Sequence, residues 1–233
     1  MIAELIFTGV VTIALPLRAW RRYRHRLPRV SSTRYIAETL LLLAVLSLLL
    51  RQNHISLSSL GLAKPWSWQW PGDMALCLGL IVGVDFWMTG KLIRQIRRGA
   101  VIPPARGLAA DAQAGSRTGR GYVGVTIAGA AWEELCFRGT VLAMVPHTGT
   151  GILLGFVASS LFFGMQHLRS GPSAFVYSTG FGLVFALLFL ATDNLWAVMI
   201  AHAAGNLLTV WQWAPQIEKA RQNALQRAAI FLG

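Results

Sequence analysis

Long apolar stretches recur along the chain, separated by shorter segments that hold most of its charged residues. Each stretch approaches the length of about 20 residues that an α-helix needs to cross a bilayer. A soluble helical protein would instead show amphipathic periodicity in most of its helices. The pattern therefore predicts an all-α, polytopic integral membrane protein with about seven transmembrane helices, within a range of six to eight. We place these helices at roughly residues 2–17, 35–50, 74–90, 122–145, 151–168, 173–190 and 194–213.

The composition agrees with this fold class. Hydrophobic residues make up 55% of the chain and charged residues only 13%, which is not typical of a soluble globular domain. The two cysteines, Cys77 and Cys136, lie in different apolar stretches, so they indicate neither a metal pair nor a local redox motif. We expect residues 1–233 to form a single membrane domain.

The basic residues are concentrated in two loops, and they predict the orientation of the chain. Seven arginines lie within residues 18–34, and seven lysines or arginines lie within residues 91–121. Because Lys and Arg in short loops stay on the cytoplasmic side, both loops should be cytoplasmic, with the N-terminus outside and the C-terminus inside. The net charge of +12 then reflects topology, because no nucleic-acid-binding motif accompanies the basic clusters. We expect a multi-pass protein of the cell (inner) membrane, with the lipid bilayer as a partner and no nucleic acid.

Three ionisable residues interrupt the fourth apolar stretch, in the sequence AAWEELCFRGTVL. Such side chains are costly within a membrane segment unless they are paired or solvated. Glu134 and Arg138 lie one helical turn apart on one face, in the order that favours an ion pair. Glu133 points elsewhere and has no partner on its own helix, which makes it the candidate general base. The alternative is a buried packing cluster of all three side chains.

Two later apolar stretches each carry a pair of residues at helical spacing. Phe163 and His167 lie one turn apart in SSLFFGMQHLRS, and His202 and Asn206 lie one turn apart in NLWAVMIAHAAGNLLTV. Taken alone, His167 could be an interfacial histidine, and the second pair could join helices through hydrogen bonds. Together with Glu133, these residues indicate a site for hydrolysis.

Two other acids and the C-terminal tail receive structural interpretations. Asp85 lies in an apolar stretch and could face a helix interface, while Asp193 is placed to cap the start of the last spanning helix. The tail after Pro215 could form an amphipathic helix on the inner leaflet, or it could be a solvated segment.

The three motifs Glu133-Glu134-x-x-x-Arg138, Phe163-x-x-x-His167 and His202-x-x-x-Asn206 resemble those of the CPBP family of CAAX proteases and bacteriocin-processing, Abi-type enzymes. The resemblance covers roughly residues 120–213, which would form the catalytic core. It implies an intramembrane glutamate-dependent endopeptidase that needs no metal or cofactor and cleaves a membrane-associated protein or peptide. Glu133 and His167 would activate water, and His202 and Asn206 would stabilise the oxyanion. Glu134, Arg138 and Phe163 would support the site.

Three other functions stay open on the sequence. A zinc-dependent intramembrane protease could use the same Glu and His side chains as ligands, although the HExxH pattern is missing. A transporter could use buried Glu and His as a pathway, although the chain has no inverted repeat. The third possibility is a non-enzymatic immunity or binding module. The oligomeric state is left open.

Overall fold

The computed structural model of the chain describes residues 56–63, 69–99, 120–142 and 149–232, with isolated positions before residue 52. This described part is helical and contains no β-strand, which confirms the predicted all-α class. Its first element is a 3-10 helix at Leu57–Leu60. The α-helices that follow are α1 Trp70–Arg97, α2 Arg120–Glu134, α3 Thr150–Gln166, α4 Pro172–Thr192, α5 Leu195–Leu208 and α6 Ala214–Leu232. Two π-helices, π1 Leu135–Leu142 and π2 Thr209–Trp213, continue α2 and α5, and a 3-10 helix at His167–Ser170 follows α3.

Two helices of the described part, α1 and α4, are long and apolar enough to cross a bilayer, whereas α3 is apolar but shorter. Large apolar side chains stand on their outer surfaces, among them Phe86 and Trp87 on α1, Leu154 on α3 and Val176 on α4. Soluble monomers rarely expose so much apolar surface, so these helices have the character of a membrane protein. The predicted spans 2–17 and 35–50 and the loop 18–34 lie almost wholly outside the described residues. The number of spans and their orientation therefore stay predictions.

The link between α4 and α5 is set by two adjacent polar residues. Asp193 has a φ of 49° and ends α4 in the left-handed conformation. The Oδ1 atom of Asn194 accepts a hydrogen bond from the backbone N–H of Ala197 at 3.2 Å, and its Nδ2 donates to Asp73 at 2.9 Å. The N-cap of α5 is thus Asn194, and our assignment of the cap to Asp193 is wrong because the backbone of Asp193 is used to reverse the chain.

Asp85 links three elements, as expected for a structural role. Its side chain is 2% exposed on α1 and accepts hydrogen bonds from the hydroxyls of Tyr177 on α4, at 3.4 Å, and Thr209 on π2, at 3.2 Å. A buried carboxylate needs such donors, since an unsatisfied polar group in an apolar interior costs several kcal/mol. The acid therefore ties the end of α5 to the middle of α1.

Close packing of α3 against α4 brings the elements of the candidate site together. A Cβ atom on Gly182 of α4 would lie only 3.0 Å from the backbone of Ser160 on α3, so glycine allows the helices to approach there. Helix α5 packs against α1 and α2. Phe137, Phe163 and Phe185 are buried where these elements meet. The motif residues lie around this aromatic core.

One segment differs from the predicted loop, and the tail takes one of its two predicted forms, a helix. Helix α1 continues through residues 91–97, which we assigned to the loop 91–121. Lys and Arg are good helix formers, and their charges are favourable at the negative end of the helix dipole, so a basic segment can extend the helix. Residues 100–119 lie outside the described part.

The tail is helical over Ala214–Leu232 and packs against α1 with Ala220 buried, so it is not simply solvated.

Candidate active site

Glu134 and Arg138 form the buried ion pair that their spacing predicts. Both side chains are fully buried, and Arg138 Nη1 lies 3.1 Å from Glu134 Oε1. Arg138 Nη2 donates a second hydrogen bond, 2.9 Å long, to the carbonyl oxygen of Gly182 on α4. The guanidinium therefore connects the glutamate segment to a neighbouring helix through its two terminal nitrogens.

A change of helix type begins directly after the two glutamates. We expected one regular helix over residues 122–145, but α2 ends at Glu134 and π1 continues to Leu142. The hydroxyl of Thr140 donates to the carbonyl of Leu135, five residues earlier, at 3.0 Å. Short π-helical segments within helices are frequent at functional sites. Here the π-helix carries Arg138, while Glu133 and Glu134 occupy the last turn of α2.

His202 lies between the two glutamates. Its Nδ1 atom is 2.7 Å from Glu134 Oε1, and its Nε2 atom is 3.7 Å from Glu133 Oε2. The short contact is a hydrogen bond, whereas 3.7 Å is too long for one. The side chain of Glu133 is 17% exposed, in contrast to the fully buried Glu134. The structure thus gives the two adjacent acids different environments, with Glu134 enclosed and Glu133 accessible.

Aromatic rings enclose this polar cluster. The Arg138 guanidinium carbon lies 4.7 Å from the ring centre of Phe163 and 5.4 Å from that of Phe185. Phe185 also stacks on the His202 ring, with centroids 4.4 Å apart and an interplanar angle of 27°. Cation–π contacts are strongest where water is excluded, so these rings help to hold a charged side chain in an apolar interior.

His167 reaches the cluster through Phe163. It is the first residue after α3, and its Nδ1 atom lies 3.0 Å from the carbonyl oxygen of Phe163. A carbonyl only accepts, so Nδ1 carries the proton and Nε2 of the neutral ring remains an acceptor. The ring of Phe163 lies 5.0 Å from that of His167 and 5.7 Å from that of His202. Both histidines therefore contact one phenyl ring.

Asn206 follows His202 by one turn of α5 and is half-buried. Its side chain has no hydrogen-bond partner among the described residues, so its position is set by the helix alone. Within the same described ranges, no three His, Cys, Asp or Glu side chains are arranged to hold a metal ion. Of the seven predicted residues, the structure connects six through a chain of contacts, and these are Glu133, Glu134, Arg138, Phe163, His167 and His202.

Sequence reasoning missed two contributors on α4. Phe185 covers both Arg138 and His202, and the carbonyl of Gly182 accepts from Arg138. Phe185 belongs to a run of phenylalanines at four-residue spacing, which is also common in a lipid-facing helix. Every residue has a backbone carbonyl, so the sequence does not show which one accepts a hydrogen bond from Arg138. The glycine at 182 was the one available signal, since small residues permit close helix contacts in membranes.

The arrangement suits acid–base chemistry. Glu134 receives hydrogen bonds from Arg138 and His202, so its Oε1 atom is occupied. Glu133 has no hydrogen bond from a described residue and remains able to accept a proton. An accessible carboxylate beside an oriented imidazole is a combination used to activate water and to stabilise developing negative charge.

One comparison with known proteins identifies the segment that carries these residues. Residues 120–208 match the family model described as type II CAAX prenyl endopeptidase Rce1-like. The matched range contains all three sequence motifs and ends at the last residue of α5. No curated protein and no solved structure matches the chain significantly.

Proposed function

We propose that this chain is an intramembrane protease of the CPBP/CAAX type, because residues 120–208 match that family, and that it is a glutamate-dependent endopeptidase with Glu133 as its general base. The family match supports the activity of a CAAX-type intramembrane endopeptidase, and the roles of individual residues are inferred from their contacts. These roles depend on one observation, the position of the His202 ring between Glu133 and Glu134. The resulting enzyme would be a multi-pass protein of the inner membrane.

The two glutamates have different proposed roles, which follow from their contacts. Glu134 is fully buried and bonded to Arg138 and His202, so it orients the imidazole instead of taking part in proton transfer. Glu133 is the more exposed acid and accepts no hydrogen bond from a described residue, so it can accept a proton from water. His167 offers a second acceptor, Nε2, because its Nδ1 proton is directed at the carbonyl of Phe163.

In the proposed reaction, water gives a proton to Glu133 while its second hydrogen is held by His167. The water oxygen attacks the carbonyl carbon of the scissile peptide, and the carbonyl electrons move onto its oxygen. Collapse of this tetrahedral oxyanion breaks the C–N bond, and the leaving amine takes the proton from Glu133. One water is consumed, and Glu133 returns to the carboxylate.

The oxyanion would be stabilised by His202 and Asn206. With Nδ1 donating to Glu134, Nε2 of His202 donates only when the ring carries both protons. Such an imidazolium also balances the cluster, because two carboxylates then face two cations, His202 and Arg138. The amide of Asn206, one turn further along α5, supplies a second donor. Each donor at a developing oxyanion lowers the activation barrier by about 3 kcal/mol.

The substrate class follows from the family and from the apolar setting. The matching family is described as a type II CAAX prenyl endopeptidase, so we propose a membrane-associated polypeptide substrate, with a lipidated C-terminal tail as the first candidate. A zinc enzyme with the same residues is less well supported, because His202 Nδ1 and Glu134 Oε1 are bonded to each other. The match of residues 120–208 to an endopeptidase family favours hydrolysis over a transporter or an immunity module.

Cleavage assays on the purified chain test this proposal. Wild type, Glu133→Gln and His167→Ala are incubated with a prenylated CAAX peptide, its unprenylated form and an apolar membrane peptide, each with and without a strong chelator. Glu218→Gln is the matched control, because Glu218 lies in the tail helix and pairs only with neighbouring tail residues. We expect Glu133→Gln to lose about 100- to 10,000-fold in kcat, the usual contribution of a general base. The control should keep full activity.

Two results would contradict the proposal. Full activity of folded Glu133→Gln would remove Glu133 from the reaction. Cleavage that is abolished by the chelator and restored by zinc would establish the metal enzyme instead. Cleavage of the prenylated peptide alone would identify the substrate class, while equal cleavage of both forms would show that the lipid is not recognised.

A further inference from the structure

A basic cleft lies between the C-terminal end of α1 and the tail helix α6, and none of the candidate site residues lines it. Its volume is about 590 Å³. Its cationic lining consists of Arg97, Arg98, Lys219 and Arg227, and none of the described residues that line it is acidic. The cleft therefore concentrates positive charge at one end of a helix long enough to span a membrane.

The cations of the cleft are available to a ligand. All four side chains are exposed, and none forms an ion pair with a described residue. The nearest acid along α6, Glu218, is instead engaged by Arg221 at 3.6 Å and by Gln222 at 3.2 Å. Like charges gathered on one surface repel each other, so a bound anion would relieve this repulsion.

The rest of the lining is partly apolar. Ile93 and Ile96 from α1, and Ala220 and Ala224 from α6, line the same cleft, and Ile96 and Ala220 are buried. Cations over an apolar floor match an amphiphile that carries both a phosphate and hydrocarbon. Basic pockets between helices at the membrane surface bind anionic lipid headgroups for this reason.

The location of the cleft also favours a lipid. Lys91, Arg94, Arg97 and Arg98 follow the apolar part of α1, and such a basic end marks the level of the headgroups. The segment of the same chain closest in sequence, residues 100–119, carries Arg106 and Arg117 against Asp111. Its net positive charge would be repelled by the cleft, so this segment is a poor occupant.

We propose that the cleft between α1 and α6 binds the headgroup of an anionic phospholipid and so fastens the tail helix to the membrane surface. The two helices supply two cations each, so one phosphate between them would bridge α1 and α6. This lipid site is separate from the proposed peptidase site and does not depend on its chemistry.

Lipid titrations of the delipidated, detergent-purified full chain test the proposal. Thermal stability is measured with short-chain phosphatidylglycerol, with phosphatidylcholine of the same chain length and with inorganic phosphate. The variant Arg98→Gln/Lys219→Gln removes one cation from each helix, and Arg97→Gln/Arg227→Gln is a second, independent pair. Arg221→Gln is the matched control, because Arg221 lies on α6 but does not line the cleft. Peptidase activity is not needed for any readout.

We expect phosphatidylglycerol to stabilise the wild type and the control, and phosphatidylcholine and phosphate to have much smaller effects. Each double variant should bind phosphatidylglycerol about thirty-fold more weakly, about fivefold for each cation lost. Equal stabilisation by phosphate would overturn the proposal in favour of a soluble anion. Equal stabilisation by phosphatidylcholine, or an equal loss in Arg221→Gln, would overturn it in favour of non-specific lipid binding.

Discussion

Replacement of Arg138 by methionine should destabilise the protein more than removal of any surface charge. Arg138 is fully buried, pairs with Glu134, donates to the carbonyl of Gly182 and lies against two phenyl rings. Methionine replaces the aliphatic part of the arginine side chain without its charge. The change therefore removes the cation from a glutamate that stays buried, with His202 as its remaining partner.

The expected loss is about 3–5 kcal/mol, the usual effect of removing one member of a buried ion pair. The chain contains a matched exposed pair, Glu218 with Arg221, whose side chains are about 40% exposed. Pairs of that kind contribute roughly 0.2–1 kcal/mol, so Arg221→Met should have little effect. The double variant Glu134→Met/Arg138→Met should lose less than Arg138→Met alone, because it leaves no single buried charge.

Reversible unfolding in mixed detergent micelles would measure these differences for the four proteins. A value for Arg138→Met within 1 kcal/mol of Arg221→Met would refute the reasoning, since it would mean that the buried pair is no more important than a surface pair. A double variant less stable than Arg138→Met would show that Glu134 is stabilised by groups other than the arginine.

Three further predictions concern single positions. Gly182→Ala should lose about 1–3 kcal/mol of unfolding free energy through contact with the α3 backbone, while Gly180→Ala, with open space around it, should lose none; equal effects would contradict the close approach. Asp85→Leu should lose about 1–3 kcal/mol by leaving its two hydroxyl donors without an acceptor, and Asp85→Asn should lose less in the same unfolding experiment. Asn206→Ala should reduce kcat about 100-fold at unchanged stability, and an unchanged kcat would remove Asn206 from the oxyanion site.

Local periodicity was enough to predict one part of the site. Glu134 and Arg138 are four residues apart on one helix, and their ion pair follows from that spacing. The same reasoning placed Phe163 and His167 one turn apart, and the side chain of His167 does bond to the carbonyl of Phe163. Interactions within one turn are encoded by the spacing, so these pairs could be predicted without a fold.

Contacts between distant segments could not be predicted in this way. His202 bonds to Glu134 across 68 positions of the chain, and although the sequence assigned their motifs to one site, it did not indicate that these two side chains are bonded. The start of π1 after Glu134 was also hidden, because a continuous apolar stretch looks the same in either helix type. Phe185 was overlooked because lipid is as apolar as a protein core, so the hydrophobic pattern of α4 does not separate its buried face from its outer face.

The different roles of the adjacent glutamates are tested most directly by measuring peptide cleavage and unfolding together for Glu133→Gln and Glu134→Gln. Glu133 is accessible and has no hydrogen bond from the described residues, so Glu133→Gln should lose cleavage at least 100-fold and keep wild-type stability. Glu134 is buried between Arg138 and His202, so Glu134→Gln should be clearly less stable. A Glu133→Gln protein that still cleaves, or a Glu134→Gln protein that alone loses cleavage while remaining fully stable, would contradict the assignment of Glu133 as the base.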